Sequence, residues 1–360
     1  MQALGLFRRF DFRRFQPTSR PERSRAAPLD KNQVNRRIVT VKTLIKPLSA
    51  AAVSAALTTA TGYADHGPGT SGGGASTQTA ETLKPGKFSI DLRTEYTEFQ
   101  NLSASQIEAR AAEAGGFDLL DRSFVSTVGV SYGVVDNFQI GLSIGYYNAV
   151  NPREAEFDEG ETEIVTFDPD GLTDLWLTGK YRFYRGPIGQ FAIFGGVKFP
   201  TGEHDVTNSE GERVEPSATA GSGSFDGMAG LAYSRFLTSQ ITLDVSGQYT
   251  YRTEHDEFRL GDRIDAGVAV AYRFTEDIQR FPQVSVFAEG IVRHLFKSQE
   301  DGEDDPNTGG TAIFVAPGVR VSFSPNVSFT VSAPLPVLQD LNGTQLKTDY
   351  KVNGGLTLTF

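Results

Sequence analysis

The sequence predicts an all-β chain, a transmembrane antiparallel up-and-down β-barrel of about twelve strands. Three observations predict it. The last stretch alternates Tyr350, Val352, Leu356, Leu358 and Phe360 with Lys351, Asn353, Gly355, Thr357 and Thr359. That period of two belongs to a strand with one apolar and one wet face. The same strand runs to the final residue, Phe360. A barrel needs this, because its last strand must pair with its first and leave no edge. Finally, half-apolar strands recur from Gly86 onward, joined alternately by long polar loops and short turns. A soluble all-β protein has no reason to keep that alternation. The competing reading of the last stretch is the edge strand of a soluble sandwich.

Composition narrows the class further. The 360 residues include 38 Gly, 26 Phe and 12 Tyr but no Cys. No interior run of about 18 apolar residues exists, which excludes a helical membrane protein. A mean hydropathy of -0.28 suits strands that are only half apolar. The lack of Cys excludes a disulfide framework and Cys-based metal sites. Of 34 Lys/Arg and 44 Asp/Glu, 12 and 3 fall within residues 1–64, which leaves 22 basic against 41 acidic residues beyond. So acidic a chain argues against nucleic acid as a partner.

Residues 1–40 are Arg-rich and aperiodic. They read as a disordered basic leader, or as sequence upstream of a true start at Val41. Residues 41–64 read as a signal peptide. Lys42 and Lys46 form a basic n-region, Leu48 to Leu57 an apolar stretch, and Gly62-Tyr63-Ala64 a small-residue cleavage site. A twin-arginine signal at Arg36-Arg37 is the weaker alternative, since the residues after it fit poorly. Residues 65–86 are Gly- and Ser-rich and predict a flexible periplasmic tail; the alternative is a small folded-back plug, for which the sequence carries no signal. The barrel is expected over residues 87–360.

The first strand, Lys87–Phe99, sets Phe88, Ile90, Leu92 and Tyr96 against Asp91, Arg93, Glu95 and Thr97. A long loop with a short helix over Ser103–Ala114 follows. Ser123–Val134 and Phe138–Tyr147 form a hairpin around Val135-Asp136-Asn137, a turn-type sequence. An acidic loop over residues 149–170 leads to Thr173–Tyr184, which turns at Gly186-Pro187 into Gln190–Phe199. After a loop near residues 201–222 come Phe225–Phe236 and Ile241–Arg252, then Arg263–Phe274 and Gln283–Leu295. Thr311–Phe323 turns at Ser324-Pro325-Asn326 into Val327–Leu335, and the terminal strand closes the count at twelve. An even count puts both termini on the periplasmic side. Aromatics such as Tyr132, Tyr146, Phe199, Tyr249, Tyr272 and Phe323 sit near strand ends, where girdles at the lipid–water boundary belong. The expected location is the bacterial outer membrane. Lipid and lipopolysaccharide are the expected surroundings, and the barrel-assembly machinery is expected to read the strand ending at Phe360.

If the apolar faces meet lipid, the other faces line a lumen. The residues expected there are Arg93, Glu95, Asp174, Trp176, Lys180, Arg182, Asp244, Arg273, Glu289 and Arg293, together with Asp91, Phe194, Lys198, Arg252, Asp265 and Arg320. Such charges are costly to dehydrate unpaired, so the lumen is either watered or closed by ion pairs. The outer loops are acidic, with Glu154 to Glu163 in one and Glu300 to Asp305 in another. They read as solvated loops, or as holders of divalent cations that bridge to lipopolysaccharide.

Nothing points to catalysis or to a cofactor. The four His residues are His66, His204, His255 and His294. A lipase-type His and Ser two residues apart is absent, because positions 292 and 296 are Val and Phe. Loop pairs His204–Asp205 and His255–Asp256 are the only remaining hydrolase candidates, and there is no phosphate loop or HExxH helix.

Four phrases carry a family likeness: residues 129–141 (GVSYGVVDNFQIG), 172–183 (LTDLWLTGKYRF), 195–202 (GGVKFPTG) and 221–226 (GSGSFD). They resemble the outer-membrane family grouped as "MetA-pathway of phenol degradation" transporters, over about residues 86–360. The resemblance implies a barrel that passes small, often aromatic or hydrophobic, molecules. It transfers no residue as a binding site. The expected function is therefore an outer-membrane channel, with a closed structural or adhesive barrel as the alternative and an embedded hydrolase as the third.

Overall fold

The structure, a computed structural model, describes residues 74–114, 116–158 and 161–360. The expected leader, the signal peptide and residues 65–73 lie outside the described residues.

Twelve antiparallel strands close into one barrel. They are β1 (Phe88–Phe99), β2 (Arg122–Val135), β3 (Phe138–Val150), β4 (Leu175–Gly186), β5 (Gly189–Phe199) and β6 (Asp226–Phe236). The round continues with β7 (Ile241–Tyr251), β8 (Arg263–Arg273), β9 (Gln283–Leu295), β10 (Gly310–Ser324), β11 (Val327–Ser332 and Leu335–Leu341) and β12 (Thr348–Thr359). Each pairs with the next, and β12 closes on β1 from Ser89↔Thr359 to Phe99↔Thr348. Closure satisfies every interior ladder without a free edge, the condition for crossing a bilayer with strands. At the seam the rings of Phe88 and Phe360 stack, with centroids 4.8 Å apart.

Side-chain alternation decides the two faces. Outward positions carry Leu92, Val128, Leu142, Ile193, Leu231, Val268 and Val319, all exposed. Inward positions carry Asp91, Lys180, Asp244, Glu289 and Arg320, all buried. A soluble fold would reverse this, so the exposed apolar band is the lipid-facing one and the protein is an outer-membrane barrel. An arginine at the middle of that band should be expensive. Val268→Arg is expected to cost about 2–4 kcal/mol, read as a lower urea midpoint for folding into lipid vesicles. An unchanged midpoint would place Val268 off the lipid face.

Three details depart from the sequence expectation. First, β11 does not stop at Leu335 but resumes there and runs to Leu341 after a break at Ala333-Pro334. Pro334 has no N–H for the ladder, and both halves still pair with β10. Second, the connections do not alternate strictly in length. Residues 274–282, on the short-turn side, outnumber residues 342–347 on the other. Third, the acidic loop after β3 is not irregular. Arg153–Asp158 and Glu161–Thr166 form a hairpin that pairs with Gly116–Leu119. Helix α1 (Ala104–Ala114) opens with one half of a capping box, in which the Ser103 N–H donates to Gln106 Oε1 at 2.9 Å. Its Ala111 packs on Phe117, Leu119 and Ala155. A second small sheet joins Phe258–Arg259, Gln299–Glu300 and Glu303–Asp304. These elements cap the outer rim.

Candidate functional site

The interior is organised by a segment whose residues carry no periodic signal. From Gly74 to Lys84 the chain runs through the lumen before entering β1. Thr79, Ala80, Thr82 and Leu83 are almost fully buried. This strap has no strand partner, so side chains of the barrel wall satisfy its backbone. The carboxylate of Glu289 on β9 accepts the N–H groups of Ala75 (2.9 Å), Ser76 (3.0 Å) and Thr77 (2.9 Å) and the Thr77 hydroxyl (2.9 Å). Consecutive amides converging on one anion make a backbone nest. The Gln78 and Ala80 amides donate to Ser246 Oγ (3.0 Å) and Ser234 Oγ (2.8 Å), and the Leu83 amide to Gln139 Oε1 (2.8 Å). Lys180 Nζ donates to the Thr79 carbonyl at 2.9 Å, and Arg320 Nη2 to the Gly74 carbonyl at 3.1 Å.

The wall is shaped to admit the strap. Glu289 faces Ala269 and Ala316 in register, both fully buried. Ala80 packs on Ala192, Phe194 and Ala232. A Cβ at Gly133 would strike the Lys84 carbonyl, and one at Gly267 would meet Thr77 Oγ1. The described part of the expected flexible tail is thus an ordered strap. Gly, Ala, Ser and Thr suggest flexibility when read alone, but they are also the side chains a narrow lumen has room for. The inward alanines at 192, 232, 269, 271 and 316 are the sequence signal that marks its path.

The expected lumen residues fall into three groups. Glu289, Lys180 and Asp244 lie at the strap, Asp244 accepting from the same Ser234 hydroxyl that holds Ala80. Arg182 and Arg273 lie low on the wall. Arg182 donates to the Asp136 carbonyl (2.8 Å) and to Gln190 Oε1 (2.9 Å), and Arg273 to the Thr275 carbonyl (2.9 Å), so both brace short turns. Higher up, Lys351 pairs with Glu95 at 2.6 Å, and Arg293 with Asp265 at 2.9 Å. Lys198 sits between the carboxylates of Asp174 (3.0 Å) and Asp226, all three buried. Asp174 also accepts the amides of Gly202 (2.9 Å) and Ser222 (3.0 Å), which ties the loop after β5 inward.

Above the strap a vestibule of about 780 Å³ opens toward the outer loops, with Gln78 and Phe194 at its floor and Trp176 in its wall. Its charged lining comprises Arg93, Lys180, Lys198, Arg252 and Arg263 against Asp91, Asp174 and Asp226. Arg263 is engaged by Asp265 at 2.6 Å. Among the described residues, the Arg93 and Arg252 guanidiniums make no salt bridge and have no hydrogen-bond acceptor, although Asp226, Asp262 and Asp265 attract Arg252 from farther away. Arg93 is also exposed to the lumen and lines a second cavity, of about 300 Å³, beside Gly74–Ser76.

The rim has the opposite sign. Asp118 keeps one face open to water but has protein in most other directions. Its carboxyl is pushed up to about 7 by removal from bulk water and by Glu215, Glu154 and Asp305. Partial burial and mutual repulsion also raise Glu154, Glu156 and Glu215. The two loop His–Asp pairs meet there. The rings of His204 and His255 lie 5.3 Å apart, and Arg213 joins Asp205 (3.5 Å) to Asp256 (2.8 Å). His204 Nδ1 faces the Gly202 carbonyl at 3.0 Å. His294 lies at the rim against the Thr311 hydroxyl, at 2.8 Å.

Comparison with known proteins agrees with this architecture. The fold is similar to the crystal structure of the COG4313 outer membrane channel from Pseudomonas putida F1, with a TM-score of 0.55 and 12% identity over 78% of this chain and 98% of that one. Looser likenesses are LpxR from Salmonella typhimurium, with a TM-score of 0.41 and 11% identity over 76% of this chain and all of that one, and the KdgM porin, at 0.37 and 10% over 76% and 99%. No curated protein matches by sequence. The family model described as "Putative MetA-pathway of phenol degradation" matches residues 68–336, so this twelve-stranded outer-membrane barrel belongs to that family.

Proposed function

We propose that the barrel is a channel that passes small molecules, aromatic or hydrophobic in part, through its polar lumen. The observation that carries this is the vestibule of about 780 Å³ between the outer loops and the strap. A barrel serving only as a scaffold gains nothing from unpaired arginines in a wet interior, since charges are cheap to hold there only when water or a ligand meets them. Both free guanidiniums and the Trp176 ring line that passage. The reading is of a protein without catalytic chemistry. Its surroundings are lipid and lipopolysaccharide, and its assembly partner is the machinery that reads β12.

The second reading is a closed structural or adhesive barrel, favoured by the strap. Conductance of the protein from Asp65 onward, in a planar lipid bilayer, separates the two. Discrete steps whose reversal potential follows an ion gradient are expected. Silence from protein that migrates as a folded, heat-modifiable barrel would overturn the channel reading and leave the closed one.

A further inference from the structure

We infer that the vestibule is a binding site for small aromatic carboxylates, with Arg93 and Arg252 meeting the charge and Trp176 meeting the ring. The inference deepens the channel reading, because it names what the same lumen takes.

Three observations carry it. The vestibule wall holds two more basic than acidic groups, although the chain beyond residue 64 is strongly acidic. The protein consumes only part of the excess, through Asp265 on Arg263. Elsewhere in the upper lumen the arginines and lysines are engaged, as Arg293 and Arg263 are by Asp265, Lys351 by Glu95, and Lys198 by two carboxylates. Arg93 and Arg252 stand apart, both on the cavity and neither with an acceptor among the described residues. A planar guanidinium with open N–H groups is the side chain best matched to a carboxylate.

Arg252 follows the outer end of β7, while Arg93 sits midway along β1. They form two stations, one at entry and one deeper, rather than one clamp. The third observation is the apolar part of the same wall. Trp176 and Phe194 line the cavity, with Met228 and Phe296 among its other apolar groups. An aromatic ring there has a flat partner, whereas a purely polar anion such as phosphate has none. The volume lies within the usual range for sites that enclose a small organic ligand.

Trp176 is the only tryptophan in the chain, so its fluorescence reports on the site whether or not the channel conducts. The probe is 4-nitrobenzoate, a quencher, titrated into folded protein in detergent micelles. The neutral analogue 4-nitrobenzyl alcohol serves as the control. Saturable quenching by the carboxylate and only linear quenching by the alcohol are expected. Arg93→Ala combined with Arg252→Ala should weaken the saturable phase by roughly tenfold or more, a loss of about 1.4 kcal/mol. Added salt should weaken it too.

Equal quenching by acid and alcohol would overturn the inference, and this comparison needs no variant to fold. So would an unchanged affinity in the double variant. If the bilayer shows current but quenching never saturates, the channel reading stands and the aromatic-anion site falls. Saturable, arginine-dependent quenching without current would support the site and overturn the channel.

Discussion

Deleting residues 65–84 is expected to raise single-channel conductance several-fold, the largest functional effect any single change to this chain should produce. The strap occupies the lumen along its whole described length, and its backbone is met by wall groups on β3, β4, β6, β7, β9 and β10. Removing it leaves those wall groups to water, which a polar lumen tolerates, and frees the cross-section it filled. Glu289→Ala should act in the same direction without a deletion. Glu289 holds three amides and a hydroxyl at 2.9–3.0 Å. Losing a buried charged acceptor costs at least about 2 kcal/mol, which shifts the released population by a factor of about 30. Glu289→Gln keeps one acceptor oxygen and should fall between. Conductance in planar bilayers checks all three. If the deletion conducts like the full-length protein, the strap is not what limits flow.

The second large effect is on stability. Lys198→Met should destabilise the barrel by about 3–5 kcal/mol. The lysine lies between Asp174 and Asp226, whose side chains are 5% and 2% exposed. Removing the cation leaves two buried carboxylates facing each other, and the cost comes from that uncompensated charge rather than from the lost pair. Adding Asp174→Asn and Asp226→Asn should recover most of the loss, because the triple variant buries no net charge. The readout is the urea midpoint for folding in detergent or lipid, followed by the shift in gel mobility. A single variant as stable as the parent would mean that water reaches this cluster. The loop after β5 should loosen in the triple variant, since Asp174 also holds Gly202 and Ser222.

The barrel itself is legible in the sequence. Membrane-spanning strands must satisfy all their backbone groups by pairing with neighbours, and each must show lipid one face and the lumen the other. That double requirement writes itself into every strand as a period of two. Gln283–Leu295 is read from the alternation with both ends as observed. The same parity places Arg93, Asp174, Trp176 and Lys180 on one face without knowledge of their partners.

What parity cannot supply is a partner. Ala75 and Glu289 are joined across 214 residues by an amide-to-carboxylate bond that follows no strand register. The strap's own residues carry no alternation, because it has no faces to distinguish and its environment surrounds it on all sides. Closure of the barrel alone brought β3, β4, β6, β7, β9 and β10 around that one segment. It also decided which arginines found carboxylates and which were left to the vestibule. The sequence by itself therefore determined the wall, since lipid imposes a local rule on each strand. Only the tertiary structure determined the passage, since its contents are fixed by contacts among residues that no local rule relates.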